Sequence, residues 1–136
     1  MQKISEYDAV SATISKYIDG IIKSDTQLIR EAFHSQAGMS GHFPAPDRPG
    51  AKAFAIVPAA ETIVSYMNSV PPTRQTSPNF QGRILAIDLF DTVASATIAE
   101  RNLEGSDFLT YFHLHKVDGR WQITAKATYS QPAKGE

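Results

Sequence analysis

Asp118-Gly119, set between Val117 and Arg120, is a strong two-residue hairpin signal, because both turn residues tolerate positive φ. Such a turn fixes the register of its flanking strands. Counting outward, Leu114 falls opposite Ile123, Phe112 opposite Ala125, Thr110 opposite Ala127 and Phe108 opposite Tyr129, with Lys116 meeting Trp121 at the end of the same face. This apolar face is expected to look toward helices. The other face carries Tyr111, His113, His115, Gln122, Thr124 and Lys126, and is expected to meet water or a second subunit. Asp91-Thr92 turns the preceding hairpin and sets Leu85 opposite Ile98, Ile87 opposite Ala96 and Leu89 opposite Ala94. The C-terminal half therefore reads as four long strands.

The N-terminal half reads as helices and loops. Ser5, with Asp8 three residues on, starts a helix whose Tyr7, Val10, Ile14, Tyr17, Ile18 and Ile21 recur along one face. Ser24-Asp25-Thr26-Gln27 is a second capping box, opening a shorter helix that runs to about Phe33. Pro44, Pro46, Pro49 and Gly50 cannot hold a regular ladder and predict a loop long enough to be a lid. Lys52 to Val57 is a short strand. Pro58 suits the first turn of a third helix that ends near Asn68, and three prolines between Val70 and Phe80 make a second loop.

A chain of 136 residues with 42% hydrophobic residues builds one domain with a real core, expected to span 1–136 with a flexible tail from about 131. Thirteen Lys and Arg against fourteen Asp and Glu leave a net charge of −1 and no basic stripe, which argues against nucleic acid and membrane surfaces as partners. No cysteine is present, so thiolate metal sites, thiol redox chemistry and a cysteine nucleophile are absent. The segment Met1 to Glu6 lacks the apolar run of a signal peptide, and nowhere do about 18 apolar residues follow one another, so a cytoplasmic, soluble protein is expected.

Three helices, an intervening loop and strand, and a meander of long strands resemble the nuclear transport factor 2-like superfamily. The local wording is closer to its "putative lumazine-binding" branch, which is similar to the SnoaL-like polyketide cyclases. Tyr17-Ile18-Asp19-Gly20, Ser24-Asp25, Phe33-His34, Gly82-Arg83-Ile84 with Ile87-Asp88, Ala94 and Ala96, and Lys116 through Ile123 with Lys126 carry the resemblance, from roughly Tyr7 to Tyr129. It implies an α+β fold: a cone-shaped, curved antiparallel sheet packed on three N-terminal helices, also described as a cystatin-like roll. A fold that hosts isomerases, dehydratases, cyclases, hydrolases and binding proteins does not name an activity. Relatives often carry an acidic residue before the aromatic at position 111; here Thr110 stands there, so that base is absent.

The residues themselves nominate few chemical groups. His42, just before the Pro-rich loop, and Tyr17, a phenol on the apolar helical stripe, are the candidate proton-transfer pair. A pocket between the first helix and the inner sheet face is expected to be lined by Tyr17, Phe33, Phe112, Leu114, Ile123 and Tyr129, with His34 and Thr110 as further ligand contacts. Ala94, Ala96, Ala125 and Ala127 would leave volume there. Asp25 reads as a helix-start residue and Glu61 as a solvated first-turn glutamate. His113 and His115 lack a third metal ligand at a telling interval, and no phosphate loop, dinucleotide fingerprint or serine elbow occurs, so neither metal nor cofactor is expected. The expectation is a homodimeric small-molecule binding domain, with a cofactor-independent isomerase, dehydratase or cyclase as the alternative.

Overall fold

The computed structural model describes residues 5–134; residues 1–4, part of the segment read above for a leader, and 135–136 lie outside it. Helix α1 (Glu6–Lys23) begins where Ser5 Oγ accepts the Asp8 amide at 3.0 Å. Its stripe of Val10, Ile14, Tyr17, Ile18 and Ile21 is buried, as the helical spacing predicts. It stops at Ser24, whose left-handed φ of 53° leaves it a C-cap. The cap of α2 (Thr26–Ala32) is accordingly Asp25 and not Ser24, accepting the Gln27 and Leu28 amides at 3.0 and 3.3 Å.

The chain then enters β1 (Phe33–Pro44) and β2 (Lys52–Pro58), followed by α3 (Ala59–Ser69), a single turn α4 (Thr73–Thr76), β3 (Gln81–Phe90), β4 (Val93–Leu103), β5 (Ser106–Val117) and β6 (Arg120–Pro132). The prolines before Gly50 form the tip of the β1–β2 hairpin, closed by Ala45 N donating to Ala51 O at 2.9 Å. At the other end the ladder runs past the point where a tail is expected: β6 reaches Pro132, and the Ala133 amide donates to Gly105 O.

One six-stranded sheet results, in the order β2-β1-β6-β5-β4-β3. Every neighbouring pair is antiparallel except β1 with β6, which run parallel. The helices cover one face of this curved α+β sheet, with α1 lying against β6 and β3 and α3 against β1. Between them sits the core, in which Val10, Ile14, Ile29, Phe33, Ile98, Phe112, Leu114 and Ile123 are almost fully buried.

Two β-bulges depart from the register expected from the turns. The β5–β6 ladder pairs Lys116 with Trp121 and Leu114 with Ile123, then slips, so that His113 faces Ala125, Phe112 faces Lys126 and Thr110 faces Thr128. A bulge places two residues of one strand against one of its partner, and every side chain beyond it changes face. Lys126 and Thr128 therefore turn inward, while Ala125, Ala127 and Tyr129 turn outward. The β3–β4 ladder keeps Leu89 with Ala94 and Ile87 with Ala96, but Ile84 and not Leu85 pairs with Ile98, and Leu85 is exposed.

Candidate functional site

Three rings pack edge to face at the centre of the concave side. Tyr17 lies 5.9 Å from Phe33 and 5.2 Å from Phe112, and the two phenylalanines are 6.4 Å apart, between ring centroids. Each such pair adds about 0.5–1.5 kcal/mol beyond its area burial. Leu114 and Ile123 are completely buried in the same cluster. Five of the side chains expected to line a pocket, Tyr17, Phe33, Phe112, Leu114 and Ile123, pack against one another as core instead.

Inside this core stands a chain of polar side chains. Tyr17 Oη donates to Glu100 Oε2 at 3.2 Å, and Thr110 Oγ1 donates to Glu100 Oε1 at 2.8 Å. Thr110 and Thr128 hydroxyls are 3.1 Å apart, and Lys126 Nζ donates to Thr128 Oγ1 at 2.9 Å. The direction of each bond follows from the proton count. Thr110 commits its single proton to Glu100, so Thr128 must donate to Thr110 and in turn accept from Lys126. An ammonium and a carboxylate are linked by two hydroxyls, and a phenol closes the far end.

The chain is buried: Glu100 is 2% exposed and Lys126 9%. Burial, with the Glu100 carboxylate beside it, pushes the Tyr17 phenol well above the usual tyrosine range. Burial also pulls the Lys126 ammonium below the ordinary lysine range, an effect that the Glu100 charge partly offsets. Beyond Thr128, the Lys126 amine meets Met39 Sδ at 3.7 Å and the Tyr17 ring face at 6.0 Å from its centroid.

Met39 also belongs to the wall of a cavity of about 290 Å³ between α1, α3 and the sheet, with Ile21, Phe43, Ile63, Met67 and Leu103. Alternate β1 residues put Met39 and Phe43 inward and His42 out. At the rim Tyr66 Oη donates to the Glu104 carboxylate, its two oxygens at 2.7 and 2.8 Å. The cavity wall is mostly hydrocarbon, with Ser24, Thr62, Tyr66 and Glu104 as its polar members.

Measured against the sequence expectations, Tyr17, Phe33, Thr110, Phe112, Leu114 and Ile123 come together and are buried. His42 does not join them. It is exposed on the outer sheet face, its ring 5.8 Å from that of its cross-strand partner Phe54. Tyr129 is 62% exposed, because the bulge in β6 reverses its face. His34 is half-buried, with Nδ1 accepting the Gln36 amide at 3.0 Å, and forms no part of the chain described above. Ala125 and Ala127 line an outer depression with Ile56, Tyr111 and His113, so they cannot provide volume inside. Gln122, expected on the outer face, is buried. His115 is exposed and bonded through Nδ1 to Thr124 Oγ1 at 2.8 Å. Among the described residues no group of three His, Asp or Glu is placed to hold a metal ion.

Glu100, Lys126, Thr128 and Met39 were not among the sequence candidates. Glu100 had a signal: it continues the inward phase of Ala94, Ala96 and Ile98 along β4. Lys126 stands among the residues that carry the family resemblance, but its inward turn depends on a bulge at Thr124 that the alternating pattern does not announce.

Comparison with known proteins agrees with this architecture. A solved nuclear transport factor 2-like protein of unknown function from Shewanella baltica is 29% identical, with a TM-score of 0.78 over 98% of this chain and 99% of its own. Another from Methylobacillus flagellatus is 27% identical, with a TM-score of 0.76 over 95% and 96%. A cystatin-like domain from Nostoc punctiforme, 13% identical with a TM-score of 0.68 over 98% of this chain and 82% of its own, shares the fold. A relative named Aldolase FrzH, from a Cladobotryum species, is 23% identical over 128 residues, 94% of each chain. The family model described as "Putative lumazine-binding" matches residues 5–130, and the chain belongs to that family, within the nuclear transport factor 2-like superfamily.

Proposed function

We propose that this protein binds a small, mainly apolar or aromatic molecule in the cavity between α1, α3 and the sheet. The observation that carries this reading is the cavity itself: about 290 Å³ lined by Ile21, Met39, Phe43, Ile63, Met67 and Leu103, close to the size of a small ligand site. Filling it tests the reading. The Met67→Trp variant is expected to weaken binding of 2-naphthalenemethanol, followed by fluorescence, by about tenfold or more. Overpacking should cost that variant only about 1–3 kcal/mol of stability. Equal binding by variant and parent would refute it.

A second reading, cofactor-independent acid–base catalysis on such a ligand, is favoured by the buried chain from Tyr17 through Glu100 to Lys126. Isomerisation, dehydration, cyclisation of the SnoaL-like kind and carbon–carbon bond chemistry on a carbonyl all need a proton moved in a dry site. The relative named as an aldolase supports this class. In this reading Glu100, and not His42, is the proton-transfer partner of Tyr17.

The outer sheet face supports a homodimer. Phe54, Ile56, Tyr111 and Tyr129 are exposed there beside His113, a mixture suited to a partly polar contact. Light scattering that returned a monomer mass at micromolar concentration would remove the dimer. A chain without cysteine suits a reducing compartment, which supports a cytoplasmic location; among the described residues no helix is long and apolar enough to cross a membrane.

A further inference from the structure

We infer that Lys126 is an imine-forming amine, which takes up an aldehyde or ketone entering the cavity past Met39. The inference rests on the reading of the cavity as a ligand site. Its starting point is an expensive arrangement. A buried ammonium is costly, and here the Glu100 carboxylate compensates it only across two hydroxyls. Lysine buried in apolar surroundings is, by contrast, what a nucleophilic amine needs, since only the neutral form attacks a carbonyl.

Geometry supplies the route. Met39 Sδ lies 3.7 Å from Nζ, and Met39 also forms part of the cavity wall. A thioether on three rotatable bonds is easily displaced, so a ligand seated against Met39 can reach Nζ by a change of its rotamer.

The hydroxyl chain supplies the proton bookkeeping. The Lys126 ammonium passes one proton through Thr128 and Thr110 to Glu100, leaving a neutral amine and a neutral carboxylic acid. The amine adds to the carbonyl carbon and forms a C–N bond, while one amine proton moves to the carbonyl oxygen to give a carbinolamine. Glu100 then returns its proton along the same hydroxyls to that oxygen. The C–O bond breaks, water leaves, and the nitrogen lone pair completes a protonated imine beside a restored carboxylate. Desolvation of Lys126 raises its share of free base at neutral pH.

The probe is 2-naphthaldehyde with sodium cyanoborohydride at pH 7, whose hydride converts the iminium to a stable secondary amine that peptide mass mapping locates. Burial raises the free-base fraction of Lys126, so Lys126 is expected to be modified faster than exposed Lys16 and Lys52. The Lys126→Arg variant should lose that adduct and keep the slow surface labelling. An adduct confined to exposed lysines overturns the inference. The alcohol 2-naphthalenemethanol, which has no carbonyl, separates the two readings. If it binds while Lys126 stays unmodified, the imine is refuted and the cavity stands; if it does not bind either, both fall.

Discussion

Glu100→Leu is expected to lower stability by roughly 3–5 kcal/mol, and Lys126→Met added to it is expected to restore part of the loss. The single change leaves the Lys126 ammonium inside the core without the only carboxylate on its hydroxyl chain. It also strands the Tyr17 and Thr110 hydroxyls, each of which donates to that carboxylate. Unpaired buried donors cost about 1–3 kcal/mol apiece. The double variant removes both charges and replaces the lysine stem with an apolar chain of similar length. Buried ion pairs exchanged for well-packed apolar residues are often neutral or stabilising, so the double variant should recover the cost of the unpaired charge and keep that of the stranded hydroxyls. Urea unfolding of the four proteins in the cycle measures it. A Glu100→Leu cost below about 1 kcal/mol, or additive effects of the two changes, would show that the charges are not coupled.

Exchange of the α-protons of 2-tetralone, a planar bicyclic ketone, is expected to be accelerated by the parent protein in deuterated buffer and to fall by about 10²–10⁴-fold in Glu100→Gln. The amide keeps the shape of the side chain and can still accept from Tyr17, but it cannot take a proton. Tyr17→Phe should lose less, because it removes a hydrogen bond to Glu100 and leaves the base in place. Proton NMR follows the exchange directly. Equal rates for the parent and Glu100→Gln would end the acid–base reading and leave the binding reading intact.

Periodicity carried the fold a long way. The stripe Val10, Ile14, Tyr17, Ile18 and Ile21 located α1, and Asp118-Gly119 set the correct pairs as far as Leu114 with Ile123. The same reasoning failed one residue further on. Hairpin counting assumes an unbroken ladder, and a bulge is a local backbone choice set by curvature and by the parallel partner β1, whose own pairing with β6 shifts between Phe33 and Gly38. That single slip exchanged Lys126 for Ala125 and Thr128 for Ala127 on the inner face, turning an expected alanine-lined void into a polar chain. It also moved the open volume toward α3, where Met39, Phe43 and Met67 line it. His42 was misplaced for a related reason: β1 is a long strand in which Phe43 takes the inner position, and no turn signal upstream fixed that phase. Glu100 was legible by its phase in β4, but a glutamate among strand residues is ordinarily read as solvated, and its burial rests on partners from α1 and β5.

The most direct test of the account is the titration of Lys126, followed by NMR on protein carrying 13C-labelled lysine side chains. The structure predicts that the Lys126 ε-carbon titrates below the exposed lysines, because burial disfavours its charge, and that Glu100→Gln lowers it further by removing the carboxylate that partly offsets burial. A Lys126 signal that titrates with the exposed lysines and does not move in Glu100→Gln would contradict the buried, coupled chain on which the site is built.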